Sequence, residues 1–179
     1  MSIVGIDCGV KGALAYFEAD GRLMAVADMP VTMVRVGGSD RPRINAAVLS
    51  NILRDWAPGH ASVEHVHPRN SIVMKDGKVI KRGDTPMTAG YLMQAAGTVD
   101  GVLAALGIPM TYVETAAWRK AGGVVLPKGT DYEGRKEASR RRALQLFPMQ
   151  AAYFSRVKDR DRAEAALIGW WLVQRGRGE

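Results

Sequence analysis

The sequence predicts one α/β domain, spanning residues 1–179, built on a mixed five-stranded sheet flanked by helices. Near the N-terminus, three short runs of β-favouring apolar residues follow one another closely and predict an antiparallel meander. After residue 45, strand-like runs alternate with segments of helical spacing, which is typical of sheets that contain parallel strands. A chain of 179 residues has the length of one domain.

In chain order, the meander comes first, with strands predicted at 2–7, 12–17 and 23–28. The sequence Ala19-Asp20-Gly21 is typical of a tight turn between the second and the third strand. Residues 29–43 contain two prolines and a Gly-Gly pair and therefore predict a loop. Asn45 is a favourable N-cap, and the apolar spacing after it predicts a helix as far as Trp56.

The second half of the chain predicts two more strands, at 61–66 and 110–114, and four more helices. The first of these helices is rich in small residues, and Gly-Gly, Pro127 and Gly129 break the pattern between the second and the third. The helices are predicted at 88–106, 116–121, 135–147 and 159–174. Residues 68–87 show little apolar periodicity and predict a long mobile excursion, long enough to be functional.

Composition excludes several classes of protein. Hydrophobic residues at 47% and charged residues at 24% are ordinary for a folded domain, which excludes intrinsic disorder as the main state. The single cysteine, Cys8, excludes a disulfide scaffold and a cysteine-rich zinc module. Since no run of about 18 apolar residues is present and the N-terminus lacks the pattern of a signal peptide, a cytoplasmic protein is expected. The formal net charge of +7 makes polyanions the first partners to consider.

Two carboxylates stand on predicted strands. Asp7 closes the first strand, at the edge where open α/β sheets place ligands, although a turn cap is an equal alternative. Glu64 lies in the strand at 61–66, with Val63 and His65 pointing to the opposite face. If these strands are neighbours, the two carboxylates repel each other unless a cation, most simply a hard divalent ion, lies between them. A solvent-facing position on an edge strand is the alternative for Glu64.

The last predicted helix carries two further acids on one face. Asp161 and Glu164 are three residues apart, beside the apolar positions that are expected to pack on the sheet. They are therefore expected to face the sheet. Acids near a helix N-terminus also favour the helix dipole, and for Asp159 a capping role and a site role are equally consistent with the sequence.

Basic residues surround these acids in the sequence. Between Arg135 and Arg162 there are nine Lys or Arg residues and three acidic ones. An acidic pocket on a basic face is what metal-dependent phosphodiester cleavage requires, because basic groups hold backbone phosphates. Carboxylates hold two Mg²⁺ about 3.5–4 Å apart, one to activate water and one to stabilise the leaving oxygen. For any single arginine, a solvated helix face is a fair alternative.

Other chemistries have weaker support. His60, His65, His67 and Cys8 suggest zinc, but their spacing matches no finger, so ordinary histidines are the simpler interpretation. No glycine-rich phosphate loop of the GxxxxGK[ST] or GxGxxG type is present. Three tryptophans are most simply core residues: Trp118, Trp170 and Trp171.

The acids, the small-residue helix and the basic turn Trp118-Arg119-Lys120 follow one another in an order that resembles a known family. The motifs, in chain order, are IVGIDCGVKGA at 3–13, Val63-Glu64, and the segments 89–109, 118–120, 134–148 and 161–167. Over nearly the whole chain they resemble those of the RuvC-type Holliday-junction resolvases, in the RNase H-like superfamily. The compact form, rich in Ala and Gly, is most similar to the phage or prophage branch.

The resemblance implies an RNase H-like fold and a homodimer, joined through the helix at 88–106, that nicks two opposed strands of a four-way DNA junction. It implies two Mg²⁺ per subunit, replaceable by Mn²⁺, in the cytoplasm of a bacterial or phage-infected cell. The implied metal ligands are Asp7, Glu64, Asp161 and Glu164, and Lys136 is a further catalytic residue. DNA contacts are expected from the loop 68–87, the basic turn and the helix after it: Arg69, Lys75, Arg119, Lys120, Arg135, Lys136 and Arg140.

The chain departs from the family pattern at three places. Cys8 stands where proline is usual, and Glu164 stands where aspartate is commoner. After the second acid, His65-Val66-His67 stands where the family often carries an aromatic that wedges into the junction. Two other readings stay open: a flap, fork or hybrid nuclease of the same fold, and a junction-binding protein without cleavage. An actin-like kinase would need two such domains, for which 179 residues are too few.

Overall fold

The computed structural model describes residues 1–68, 73–75, 78–81 and 83–176. The strands are β1 (Ile3–Asp7), β2 (Ala13–Phe17), β3 (Leu23–Asp28), β4 (Val31–Val36), β5 (Ser39–Ile44), β6 (His60–Glu64), β7 (Val73–Lys75), β8 (Lys78–Lys81) and β9 (Met110–Val113). The α-helices are α1 (Ala46–Trp56), α2 (Pro86–Ala105), α3 (Thr115–Gly122), α4 (Tyr132–Leu146) and α5 (Arg160–Gly176). Two 3₁₀ helices, Pro148–Phe154 and Val157–Asp159, join α4 to α5.

Five strands form the central sheet, in the order β3-β2-β1-β6-β9. The pairs β1–β2 and β2–β3 are antiparallel, and the pairs β1–β6 and β6–β9 are parallel. This confirms the predicted mixed sheet with an antiparallel meander in its first three strands. Because β1 and β6 are parallel neighbours, their carboxyl ends lie at the same edge of the sheet.

Alternation along β1 divides the core into two layers. Val4 and Ile6 are fully buried with residues of α1 and α2 on one face of the sheet. Ile3 packs on the other face, in a cluster that includes alanines of α5. By the same alternation Gly5 and Asp7 face α5, as the contacts of Gly5 show.

Glycine is required where α5 crosses β1. A Cβ at Gly5 would lie 2.3 Å from both the carbonyl oxygen of Ala165 and the backbone nitrogen of Gly169. No side chain fits between the two backbones, so the helix lies directly on the strand. This close approach brings the first turns of α5 next to the end of β1, where Asp7 stands.

The predicted loop at 29–43 is wrong, since most of it forms the antiparallel hairpin β4–β5. Gly37 and Gly38 both have positive φ and form its two-residue turn, which is the conformation that favours glycine in hairpins. All six residues of β4 are exposed. The two prolines and the Gly-Gly pair are loop signals, but here the Gly-Gly pair is the turn of a hairpin whose β4 strand buries no residue.

The predicted excursion at 68–87 also contains structure among its described residues. Strands β7 and β8 pair antiparallel, and α2 begins at Pro86 instead of residue 88. Thr85 is the N-cap of α2, because its side chain accepts a hydrogen bond from the Thr88 N–H. The mobility of this segment without DNA stays a prediction.

Other predicted bounds shift by a few residues. Helix α4 begins at Tyr132 instead of residue 135, because Asp131 caps it by accepting a hydrogen bond from the Gly134 N–H. Asn45 caps α1 as predicted, and β6 ends at Glu64 instead of residue 66. Within the described residues, no helix has the length and apolarity needed to cross a membrane.

Candidate active site

Four carboxylates reach the sheet edge from three elements. Asp7 is the last residue of β1, and Glu64 is the last residue of β6. The register pairs Ile6 with Val63, so the two acids end adjacent parallel strands, as the sequence predicts. Asp161 and Glu164 belong to the first turns of α5.

Three of these acids form a compact group. One side-chain oxygen from each of Asp7, Asp161 and Glu164 lies within 4.8 Å of the other two. Asp7 is 9% exposed and Glu164 is 4% exposed, whereas Asp161 is partly open to solvent. Burying carboxylates so close together is unfavourable unless cations or hydrogen-bond donors compensate their charge. We call Asp7, Glu64, Asp161 and Glu164 together the carboxylate cluster.

Lys136 supplies one compensating charge. Its ammonium group pairs with Oδ1 of Asp161 and lies 3.1 Å from Oε2 of Glu164. Burial disfavours the charged form of Lys136, but the charges of Glu164, Asp7 and Asp161 and the hydrogen bond to Asp161 outweigh it and raise its pKa. Lys136 is therefore a fixed positive charge beside the carboxylate cluster.

Arg119 supplies the second charge, from α3. Its Nη2 donates to Oε1 of Glu164 at 3.2 Å, and its guanidinium group lies over the ring of Trp118. The Nε of Arg119 is buried and, among the described residues, has no hydrogen-bond partner. Ser139 of α4 donates a further hydrogen bond, also 3.2 Å long, to Oε1 of Glu164.

Glu64 is oriented by two residues that the sequence analysis did not assign to the site. Thr115 Oγ1 donates to Glu64 Oε1 at 2.7 Å, and Trp118 Nε1 donates to the same oxygen at 3.0 Å. Trp118 is fully buried, as predicted for a core residue, yet its indole N–H also holds a site carboxylate. Thr115 in α3 bonds to Glu64, and Ser139 in α4 bonds to Glu164. Each lies far along the chain from its acid, so no local sequence pattern points to it.

Burial and the neighbouring carboxylates change the pKa of Asp7. Burial, followed by repulsion from Glu64 and Glu164, raises its pKa from 3.8 to about 8, although Lys136 acts in the opposite direction. The four acids and the two cations that contact them sum to a formal charge of −2. The carboxylate cluster therefore favours one more proton or a bound cation.

The donor set of the cluster fits Mg²⁺. All of the candidate ligands are carboxylate oxygens, which are the hard donors that Mg²⁺ and Mn²⁺ select, and neither imidazole nor thiolate belongs to the group. The excess negative charge and the raised pKa of Asp7 indicate a site built to receive positive charge.

The raised pKa of Asp7 predicts how the stability of the metal-free protein depends on pH. The native state keeps a proton on Asp7 that the unfolded state releases near 3.8, so this stabilising contribution is lost as pH rises through about 8. Between those two values, we expect the free energy of unfolding to fall by about 1.4 kcal/mol per pH unit. Asp7→Asn should remove this slope, as urea unfolding with a chelator would measure. Equal slopes in both proteins would contradict the prediction.

The basic residues that the sequence assigned to DNA have different environments. Lys120 and Arg135 are exposed, whereas Lys136 and Arg119 contact the carboxylate cluster. The guanidinium group of Arg140 donates to both oxygens of Glu137 and to the carbonyl oxygen of Phe154, and its contact with DNA stays a prediction. Arg69 and the side chain of Lys75 lie outside the described residues.

Other arginines of the basic run also hold the fold together. Arg156 pairs with Asp159 at 2.8 Å, and Arg162 pairs with Asp28 at 2.6 Å. Asp159 is buried and also accepts a hydrogen bond from the Arg156 backbone N–H, so it caps the 3₁₀ turn and lies outside the carboxylate cluster. Most of the positive charge in this run is therefore neutralised within the chain.

Comparison with solved structures finds the same fold in another protein. RuvC of T. thermophilus, solved in complex with a Holliday junction substrate, aligns over 98% of this chain and 97% of its own, with 14% identity and a TM-score of 0.54. A second structure of Thermus thermophilus RuvC aligns over 99% of this chain and 96% of its own, with 15% identity and a TM-score of 0.49. The sequence by itself matches no protein-family model and no curated protein. The predicted fold, a mixed five-stranded sheet flanked by helices, is confirmed, and RuvC of T. thermophilus shares it.

Proposed function

We propose that this chain is a metal-dependent, structure-selective DNA endonuclease that resolves four-way junctions by paired symmetric nicks. The observation that carries the proposal is the carboxylate cluster, with its formal charge of −2, at the carboxyl edge of β1 and β6. The fold supports it, because RuvC of T. thermophilus has the same architecture and was solved with a Holliday junction substrate.

Asp7, Glu64, Asp161 and Glu164 would hold two Mg²⁺ per subunit. When bound, Mg²⁺ supplies an activated water and stabilisation of the leaving oxygen. Hydrogen bonds from Thr115 and Trp118 hold Glu64 Oε1 at the sheet edge beside the other three acids. Asp7 must lose its proton before it can act as a ligand, and a neighbouring cation lowers its pKa and so favours that loss.

Lys136 and Arg119 would hold the scissile phosphate. Both already lie at the carboxylate cluster, and both are charged donors suited to non-bridging phosphate oxygens. The exposed Lys120 and Arg135 adjoin these two residues in sequence, and we assign them to the DNA backbone on either side.

Two symmetric nicks require two symmetric sites, which a homodimer provides. Helix α2 exposes a stripe of mainly small residues along one side: Gly90, Met93, Gln94, Gly97, Gly101, Ala104 and Ala105. A Cβ on any of its three glycines would meet no atom within 4 Å in the single chain. Since small residues let two backbones approach closely, we propose that α2 pairs with α2 of a second copy.

Gly97→Arg is therefore expected to convert the protein to a monomer, because a long charged side chain would stand in the middle of the stripe. Light scattering after size exclusion should give twice the chain mass of 19.4 kDa for the parent and a single chain mass for the variant. Gln174→Arg, which adds the same charge at an exposed position of α5, is the matched control and should stay dimeric. A parent protein that is itself monomeric would contradict the dimer.

The function is tested by cleavage of a labelled synthetic four-way junction, beside a linear duplex and a flap, with Mg²⁺ or with a chelator. We expect paired nicks at symmetric positions on the junction alone, and none without the metal. Junction binding without nicks in any divalent metal would replace the proposal with a binding protein. Preferential cutting of the flap would retain the catalytic site and reject the junction as its substrate.

A further inference from the structure

Three metal-ligating side chains converge at a second place, beyond the ends of β6 and β9. Glu64 and Val113 are paired in the sheet, and His65 and Glu114 are the residues that follow them in the chain. The backbone N–H of His65 donates to the carbonyl oxygen of Val113 at 2.9 Å, so the two chain segments remain side by side past the strands. His67 lies two residues further along the first segment.

The donor atoms of these residues point at one another. Nδ1 of His65 lies 2.7 Å from Oε1 of Glu114, and Nε2 of His67 lies 3.2 Å from the same oxygen. One donor atom from each of the three residues lies within 4.8 Å of the other two. In tetrahedral coordination with bonds of about 2.0–2.1 Å, ligand atoms are roughly 3.3 Å apart, so only small side-chain rotations separate this arrangement from a metal site.

The trio is separate from the carboxylate cluster. The side chain of Glu64 bonds to Thr115 and Trp118, whereas the two histidines after it bond to Glu114. Neither His65 nor His67 belongs to the group formed by Asp7, Asp161 and Glu164. Two distinct groups of ligands therefore flank the end of β6.

The chemistry of the trio also differs from that of the cluster. Two imidazole nitrogens and one carboxylate oxygen suit zinc and other late first-row metals, whereas Mg²⁺ prefers oxygen ligands alone. Hydrogen bonds from His65 and His67 lower the pKa of Glu114, which keeps its carboxylate charged. The side chains of His65, His67 and Glu114 are 45%, 59% and 59% exposed, which leaves room for water at the remaining coordination positions.

We propose that His65, His67 and Glu114 form a second metal site, which takes a divalent transition-metal ion of the Zn²⁺ type. The site is not the zinc set considered from the sequence, because His60 bonds to Thr111 and Cys8 is buried. An ion bound there links the segment that follows Glu64 to the segment that precedes α3, and so holds together two connections that border the carboxylate cluster. The proposal does not depend on the nuclease function.

Calorimetric titration of the full chain with ZnCl₂ tests this site, with Mg²⁺ in excess so that carboxylate-only sites are occupied. We expect one Zn²⁺ per chain in the parent protein and binding at least tenfold weaker in His67→Ala and in Glu114→Ala. His60→Ala, which removes a histidine at the opposite end of β6, should bind Zn²⁺ like the parent. Asp7→Asn should also bind like the parent, since its carboxylate belongs to the other group.

A spectroscopic probe identifies the ligands without relying on affinity. Co²⁺ added to the parent should give visible d–d absorption of a nitrogen- and oxygen-ligated ion, and the double variant His65→Ala/His67→Ala should not. The side chains of His65, His67 and Glu114 are exposed, so circular dichroism should show the variants at these three positions folded. Zn²⁺ binding that is unchanged in the double variant, or lost in Asp7→Asn, would overturn the proposal. Absence of Zn²⁺ binding to the parent would show that the trio is a hydrogen-bonded contact only.

Discussion

Asp7→Asn is expected to lower the rate of Mg²⁺-dependent junction nicking by at least about 10³-fold, which corresponds to about 4 kcal/mol of transition-state stabilisation. The amide keeps the shape of the carboxylate but removes its charge from the carboxylate cluster. Its nitrogen also faces the metal position with a donor group instead of an acceptor. Both changes weaken the cation site at the residue whose pKa burial and the neighbouring acids raise to about 8.

The same substitution should leave the fold and the binding of the junction intact. In the metal-free protein Asp7 keeps its proton below about pH 8, so the amide replaces a carboxyl that is already neutral, and the variant should unfold no more easily than the parent. Loss of one negative charge beside a phosphate favours DNA binding, and gel-shift affinity in the presence of Ca²⁺ should be equal or higher.

Asp55→Asn is the matched control, because Asp55 is an exposed acid on α1, which packs on the other face of the sheet. It should nick like the parent. Single-turnover nicking rates of the parent, Asp7→Asn and Asp55→Asn test this prediction. A rate for Asp7→Asn within about tenfold of the parent would remove Asp7 from the catalytic residues.

Gly5→Ala should strongly destabilise the fold, although it adds only one methyl group to the core. The new Cβ would lie 2.3 Å from two backbone atoms of α5, and neither the strand nor the helix can move without disturbing the sheet edge. Overpacking of a core commonly costs 1–3 kcal/mol, and a backbone clash belongs at or above the upper end, about 3 kcal/mol. Urea unfolding should therefore show a much lower midpoint, or the variant should fail to fold.

Gly176→Ala provides the comparison within the same helix. Gly176 ends α5, and a Cβ there would meet no atom within 4 Å, so this variant should be as stable as the parent. If Gly5→Ala does fold, its Mg²⁺-dependent nicking should fall, because displacing α5 moves Asp161 and Glu164 away from Asp7. If Gly5→Ala were as stable as the parent, α5 would not lie directly on β1.

Local signals in the sequence account for the positions along the chain of the central sheet's strands and for the four acids. Apolar β-favouring runs and helical spacing place β1, β2, β3, β6 and β9, because each of these strands packs at least one face in the core. The hairpin β4–β5 escapes this reasoning, because its prolines and the Gly37-Gly38 pair are loop signals, although that pair is the turn of the hairpin. Since β4 buries no residue, packing against the core does not distinguish it from a loop.

The sequence by itself determined the α/β class, the acids Asp7, Glu64, Asp161 and Glu164, and the family resemblance, because these depend on residue type and spacing along one element. Only the tertiary structure decided which groups meet across elements. It placed Arg140 against the carbonyl oxygen of Phe154, joined Thr115 and Trp118 to Glu64, and brought Glu114 to two histidines. Those partners lie as far as 54 residues apart in the chain, and no local pattern records a contact that the sheet register and the packing of helices create.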